Sequence, residues 1–259
     1  MEPVKILFTG TVSSGKSTLI NALAGHRVCE AQNEICTAGI SRVYNEVLDG
    51  CRRQADQRLR LKMRSFEKDL ICFVDTPGVD SSRHAEHGEI TRGALRTENA
   101  PIVVYVLNAD GQLGVDATAS HLKYVKEHLR GRSIIFALNK IDKYNPAVDS
   151  VERSISSLSR ELEDLGFRDP VICPLSAITG LWCKLAATHR RMTSYETRRL
   201  EDMRDLFENE IILKDAYEPY FPYKPRKNAK HKNLLYQCGL TGLELFIKKT
   251  ISDLGRSTV

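Results

Sequence analysis

The stretch "GTVSSGKST" at residues 10–18 constrains this chain more than any other. It directly follows the apolar run "VKILF" (4–8) and directly opens a segment of helical periodicity. Gly10 and Gly15 let the backbone bend until its N–H groups, those of Ser13 and Ser14 among them, point inward. The dipole of the helix that begins here adds positive potential. A strand, a glycine-bounded loop and a helix in this order cradle phosphate. Lys16 is expected to reach the outer phosphates of a nucleotide and Ser17 to ligate Mg²⁺, with Thr18 beside it in the first helical turn.

Four more apolar runs follow, "DLICFV" (69–74), "PIVVYVL" (101–107), "RSIIFAL" (132–138) and "PVICPL" (170–175). They are short, nearly continuous and β-branched, as strands buried on both faces should be. Amphipathic stretches alternate with them. Asp116 can cap a helix ending near Gly131, and Asn145 with Pro146 can open another ending near Gly166. The alternation implies an α/β fold with a doubly wound, mostly parallel sheet. "ISRVYNEVL" (40–48) alternates polar and apolar residues like an edge strand, and "QRLRLKM" (57–63) either pairs with it or belongs to an inserted helix.

Three further motifs fall at strand ends. "DTPG" (75–78) places Asp75 where it can hold the Mg²⁺ shell through water, and Gly78 where its N–H can reach the γ-phosphate. Such a tetrapeptide is a common turn, and its position at the end of a buried strand gives it meaning. Thr37 lies in a polar segment before the edge strand and is the candidate to complete the Mg²⁺ site and hold the attacking water. "NKID" (139–142) offers the Asp142 carboxylate to the two donors of a guanine edge, which adenine lacks, while the Lys140 stem packs on the base and Asn139 braces the loop. "LSA" (175–177) then brings Ser176 and the Ala177 N–H to the guanine oxygen. These motifs in this order point to GTP and GDP as ligands and to GTP hydrolysis, in a fold of the P-loop GTPase type.

After about residue 180 the strand–helix rhythm stops. Leu200, Met203, Leu206, Phe207 and Ile211 repeat at helical spacing among many charges, which predicts a helical insertion over 181–215. "YEPYFPYKPRKNAKHKN" (217–233) is a proline-, tyrosine- and base-rich connector, and "GLTGLELFIKKTISDL" closes the chain as an amphipathic helix. The expected organisation is one GTPase domain over 1–259, with a core of 1–180 and 234–254 and the insertion and connector at about 181–233. Lys224, Arg226, Lys227, Lys230 and Lys232 are open to two readings, a solvated loop or contact with lipid head groups or RNA. The seven cysteines form no C-x-x-C pair and read as reduced packing residues. The longest apolar run is too short to span a bilayer and no signal-peptide layout opens the chain, so a cytoplasmic location, peripheral to a membrane at most, is expected.

At these motifs the chain resembles the translation-factor-related GTPases. "GTVSSGKSTLINALAG", the spacing to Thr37 and the closing "LLYQCGLTGLELFIKKTI" resemble the dynamin superfamily in particular. Era-like ribosome-assembly GTPases share "GKSTLINAL", D-T-P-G and N-K-x-D. The dynamin resemblance implies a GTPase domain that pairs with a second copy across the nucleotide. Its catalytic set would be Ser13, Lys16, Thr37 and Gly78, with Ser13 helping to hold K⁺ or Na⁺ against the phosphates. The Era-like resemblance implies hydrolysis timed to release from a ribosomal particle, and a scaffold that only reads nucleotide state is a third reading. Two positions depart from the families. Val12 stands where dynamins often carry a polar helper, and Val79 follows D-T-P-G where Ras-like proteins have glutamine. Dynamins also flank this domain with further helices and a stalk, so the resemblance implies either a domain of something longer or a stand-alone relative.

Overall fold

A computed structural model describes residues 2–29, 40–45, 59–61, 63–78, 85–109, 116–225 and 227–256 of the 259. Its strands are β1 (Val4–Gly10), β2 (Ser41–Asn45), β3 (Leu59–Leu61), β4 (Ile71–Asp75), β5 (Ile102–Asn108), β6 (Ser133–Asn139) and β7 (Val171–Leu175). Among the described residues they form one sheet in the order β3-β2-β4-β1-β5-β6-β7. Each expected apolar run supplies a strand, and β4, β1, β5, β6 and β7 are parallel. β2 runs antiparallel to β4, and β3 pairs with β2. The open question over 57–63 is thereby answered as an edge strand, since Leu59–Leu61 align with Val43–Asn45.

The helices are α1 (Lys16–Ala24), α2 (Ala85–Thr97), α3 (Asp116–His128), α4 (Val151–Asp164), α5 (Ala177–Ala187), α6 (Ser194–Asn209), α7 (Lys214–Tyr217), α8 (Lys230–Gln237) and α9 (Leu240–Arg256). They flank the sheet, α1 packing on α5 and α9, and α2 on α3. The core is carried by fully buried side chains such as Ile6, Phe8, Leu19, Phe73, Tyr105 and Phe136. Each side chain of this size contributes about 1.5–3 kcal/mol when removed from water. Cys72, Cys173, Cys183 and Cys238 are buried free thiols and Cys29 is half-buried, in keeping with a packing role. No described helix is long and apolar enough to cross a membrane.

Two boundaries differ from expectation. Helix α4 starts at Val151, not at Asn145 and Pro146, because Asn145 closes a separate turn. Its carbonyl accepts the Val148 and Asp149 N–H groups at 2.9 and 2.8 Å, and Ser150 caps the helix by accepting the Arg153 N–H. The helical addition begins after Thr188 instead of at 181, since Leu181, Trp182, Cys183 and Leu185 continue the buried face of α5. Within the addition, Leu200, Met203, Phe207 and Ile211 are buried and Leu206 is half-buried. Thr193 and Glu196 form a capping box that fixes where α6 starts. Tyr217 is fully buried and donates to the Pro174 carbonyl at 2.8 Å, which docks α7 on β7.

Candidate functional site

The sequence motifs converge because each follows the carboxyl end of a neighbouring parallel strand, where open α/β sheets bind ligands. The phosphate loop joins β1 to α1. Gly15 has φ +93°, and a Cβ there would lie 2.4 Å from Asn139 Nδ2, so no larger residue fits. Ser13 has φ +58° and is exposed, a left-handed conformation that costs a non-glycine residue about 1–2 kcal/mol. Strain of this kind gathers at ligand-binding turns. Ser14 is buried, and its hydroxyl donates to the Thr11 carbonyl at 2.9 Å. Lys16 is 7% exposed and donates to the carbonyls of Gly10 and Thr11 at 3.2 and 2.8 Å. Burial pulls its ammonium down to about 8, against the opposing attraction of Asp75. Thr18 is half-buried in the first turn of α1.

Ser17 donates to Asp75 Oδ2 at 2.8 Å. Asp75 is 1% exposed, and its Oδ1 has no hydrogen-bond partner among the described residues. Burial pushes the carboxyl above its ordinary range, while Lys16, the Ser17 hydroxyl and the Thr76 backbone pull it back. A buried carboxylate oxygen without a partner, next to a serine hydroxyl, fits a hard cation that takes oxygen ligands and keeps part of its water. Ser17 and Asp75 are therefore the described residues that would hold Mg²⁺, which when bound supplies charge neutralisation at the phosphates. Thr37 and Val79 lie outside the described residues. Thr76 and Thr91 hold the D-T-P-G segment in place, donating to the carbonyls of Phe8 and Pro77 at 2.8 and 2.7 Å.

Asn139 carries the link between the phosphate and base loops. Its side chain is 2% exposed, donates through Nδ2 to the Ser14 carbonyl at 2.9 Å and accepts the Ala177 N–H on Oδ1 at 2.9 Å. The second bond braces the base loop by tying the start of α5 to the Asn139 side chain. Ser176 donates to Asp142 Oδ1 at 2.5 Å and accepts the Thr179 N–H at the start of α5, orienting the carboxylate that would read guanine. Lys140 follows with φ +70°, which turns the chain between Asn139 and Asp142. One further residue was not singled out from sequence. Asn21 is 1% exposed on α1, where its neighbours Leu19, Ile20 and Leu23 are apolar and fully buried. A polar residue inside that apolar pattern is the signal that could have found it.

Against known proteins, the family model of the 50S ribosome-binding GTPases matches residues 5–140. The chain belongs to that GTPase family. This GTPase is 29% identical over 191 residues to the probable transmembrane GTPase FZO-like, chloroplastic, of Arabidopsis thaliana, covering 71% of the chain and 20% of that protein. It is 31% identical over 183 residues to the chloroplastic translation initiation factor IF-2 of Phaseolus vulgaris, covering 69% of the chain and 15% of the factor. The chain thus spans a fifth or less of these two relatives. Among solved structures, an oligomerised bacterial dynamin pair matches with TM-score 0.52 at 16% identity, over 99% of this GTPase and 45% of that chain. That likeness is one of fold, and it takes in the added helices as well as the sheet.

Proposed function

We propose that this chain binds GTP with Mg²⁺ and hydrolyses it as the GTPase domain of a dynamin-like protein, accelerated when two copies pair across the nucleotide. The observation that carries the nucleotide reading is the Asn139 side chain, which ties the lysine-bearing loop to the loop carrying Asp142. In this reading Lys16 and the loop N–H groups bind the phosphates, and Ser17 and Asp75 hold Mg²⁺. Gly78 meets the γ-phosphate, Asp142 accepts from guanine, and Thr37 completes the metal site. Ser13, exposed at the outer turn of the loop, helps hold K⁺ or Na⁺ where Val12 supplies no charge. Support for the dynamin-like part comes from a fold likeness that runs through α6, α8 and α9. The description of the matched family supports a second reading, in which the same hydrolysis times release from a large ribosomal subunit.

One experiment separates the parts. GTP turnover is measured in K⁺, in Na⁺ and in a larger organic cation, over a range of protein concentrations, and the size of the GDP–aluminium fluoride complex is determined alongside. Turnover that rises with concentration, with a complex of twice the monomer mass in K⁺ or Na⁺, is the expected result. Concentration-independent turnover by a monomer that is stimulated by ribosomal subunits would move the reading to the second. No GTP binding by wild type, and none lost in Lys16→Ala, would sink both.

A further inference from the structure

Helix α2 buries Thr91, Ala94, Leu95 and Glu98, which share one face at the spacing of successive turns, and two of these four side chains are polar. Each polar one holds a different segment. Thr91 donates to the Pro77 carbonyl at 2.7 Å, which fixes α2 to D-T-P-G. Glu98, about two turns further on, donates its N–H to the Ala94 carbonyl at 2.9 Å and so closes the last turn. Its carboxylate reaches two strands. Oε2 accepts from Lys5 Nζ of β1 at 2.8 Å, and Oε1 accepts from Arg42 Nη2 of β2. Since β4 lies between those strands, Glu98 bridges across it. The end of β2 that Arg42 occupies is the end at the metal site. Ser41, the residue before it, stands opposite Asp75 in the antiparallel pairing of β2 with β4, and Arg42 stands opposite Val74. Among the described residues β3 pairs with Val43–Asn45 only, so at Ser41 and Arg42 the strand has β4 alone beside it. The Glu98 tie falls where the ladder is one-sided.

We propose that Glu98 is a positioning residue for GTP hydrolysis: it holds Arg42, and so the start of β2, against Asp75, and through α2 and Thr91 it ties that placement to D-T-P-G. The inference rests on the nucleotide reading above. A carboxylate whose side chain is 7% exposed is a costly residue on a face where Leu95 packs as an apolar one, and its two cations offset the cost without making it the more stable choice. Placement is what it adds. When D-T-P-G meets the γ-phosphate, a displacement of Pro77 passes to Arg42, because both contacts sit on one helix. Asp75 and the strand beside it then take up their places together.

The test is single-turnover GTP hydrolysis by the full chain across a Mg²⁺ titration, with GDP affinity and melting temperature measured alongside, for wild type, Arg42→Met, Glu98→Gln, the double variant and Lys5→Met. Arg42→Met and Glu98→Gln are each expected to lower the rate about tenfold and to raise the Mg²⁺ needed for half of it, while GDP affinity changes little. The double variant should be no slower than the slower single one, since both cut one contact. Lys5→Met releases Glu98 from β1, leaves Arg42 in place and should hydrolyse at the wild-type rate. Arg42→Lys keeps a cation for Glu98 and should recover part of the loss. Wild-type rates in folded Arg42→Met and Glu98→Gln, or an equal loss in Lys5→Met, overturn the inference and leave nucleotide binding intact. Should Glu98→Gln not fold, the Arg42 variants decide it alone, at a side chain 39% exposed. A wild type that neither holds GDP nor hydrolyses GTP overturns the nucleotide reading, and this inference with it.

Discussion

Gly78 lies so close to Val12 that a Cβ built on it would stand 2.7 Å from both Val12 Cα and Cγ2 and 2.9 Å from Val12 N. The D-T-P-G segment is thus pressed onto the backbone of the phosphate loop, and any side chain at 78 must push one of them away. Gly78→Ala is expected to lower GTP turnover by about 100-fold, the cost of misplacing a reacting group by about 1 Å, while GDP affinity changes little. Val12→Ala in the same chain removes only the Cγ2 contact and should not restore turnover. Single-turnover hydrolysis and GDP titration of the two variants check this, and full rescue by Val12→Ala would show that the backbone contact is not limiting.

Asn139→Ala removes one buried bond to each of two loops. Leaving the Ser14 carbonyl and the Ala177 N–H without their partner should weaken nucleotide binding by about 3 kcal/mol, roughly a hundredfold in Kd. Calorimetric titration with GDP measures it directly. An effect confined to melting temperature, with Kd unchanged, would mean that the bridge supports the fold but not the site.

Asp142→Asn should shift preference from GTP toward XTP, because an amide oriented by Ser176 reverses the donor pattern offered to the base. Competition between the two nucleotides reads this out. A variant that keeps the wild-type preference for GTP would take base recognition away from Asp142.

Lys16 predicts a pH dependence with a definite sign. Burial holds its ammonium at about 8, and a phosphate placed against it raises that value. Binding therefore takes up close to one proton above pH 8 and none at pH 6.5, where Lys16 is charged in both states. GDP affinity should fall by up to about tenfold per pH unit above 8. Titrations at pH 6.5 and 9 in two buffers of different ionisation enthalpy give the proton count, and equal counts at both values would contradict the placement.

His121 sets an acid limit of its own. Nδ1 lies 2.9 Å from the Tyr105 hydroxyl, and Nε2 is buried without a partner among the described residues. Burial, then the charges of Lys16 and Arg92, bring the imidazole down to about 3. Its folded value is depressed, so the stability it contributes is complete above about 6.5 and is lost as pH falls from there toward 3. Denaturant unfolding at pH 7, 5 and 4 should show that loss in wild type and less of it in His121→Gln, which keeps an acceptor for Tyr105.

The sequence by itself determined the strand set, the phosphate loop and the base motif, because each is written in contiguous residues. Buried parallel strands need unbroken apolar runs, and a loop around phosphate needs Gly15 at a φ no other residue adopts cheaply. It also located Ser17 and Asp75 as partners, since their motifs end adjacent strands. Tertiary structure decided what joins segments far apart in the chain. Asn139 meets Ser14 across 125 residues, the Ala177 N–H donates to the Asn139 side chain, and Arg27 meets Glu196 across 169 residues. Such contacts leave no period or spacing in the sequence. They exist only after the sheet has closed and α6 has packed, when each buried or half-buried polar group takes the nearest partner that spares it desolvation without compensation.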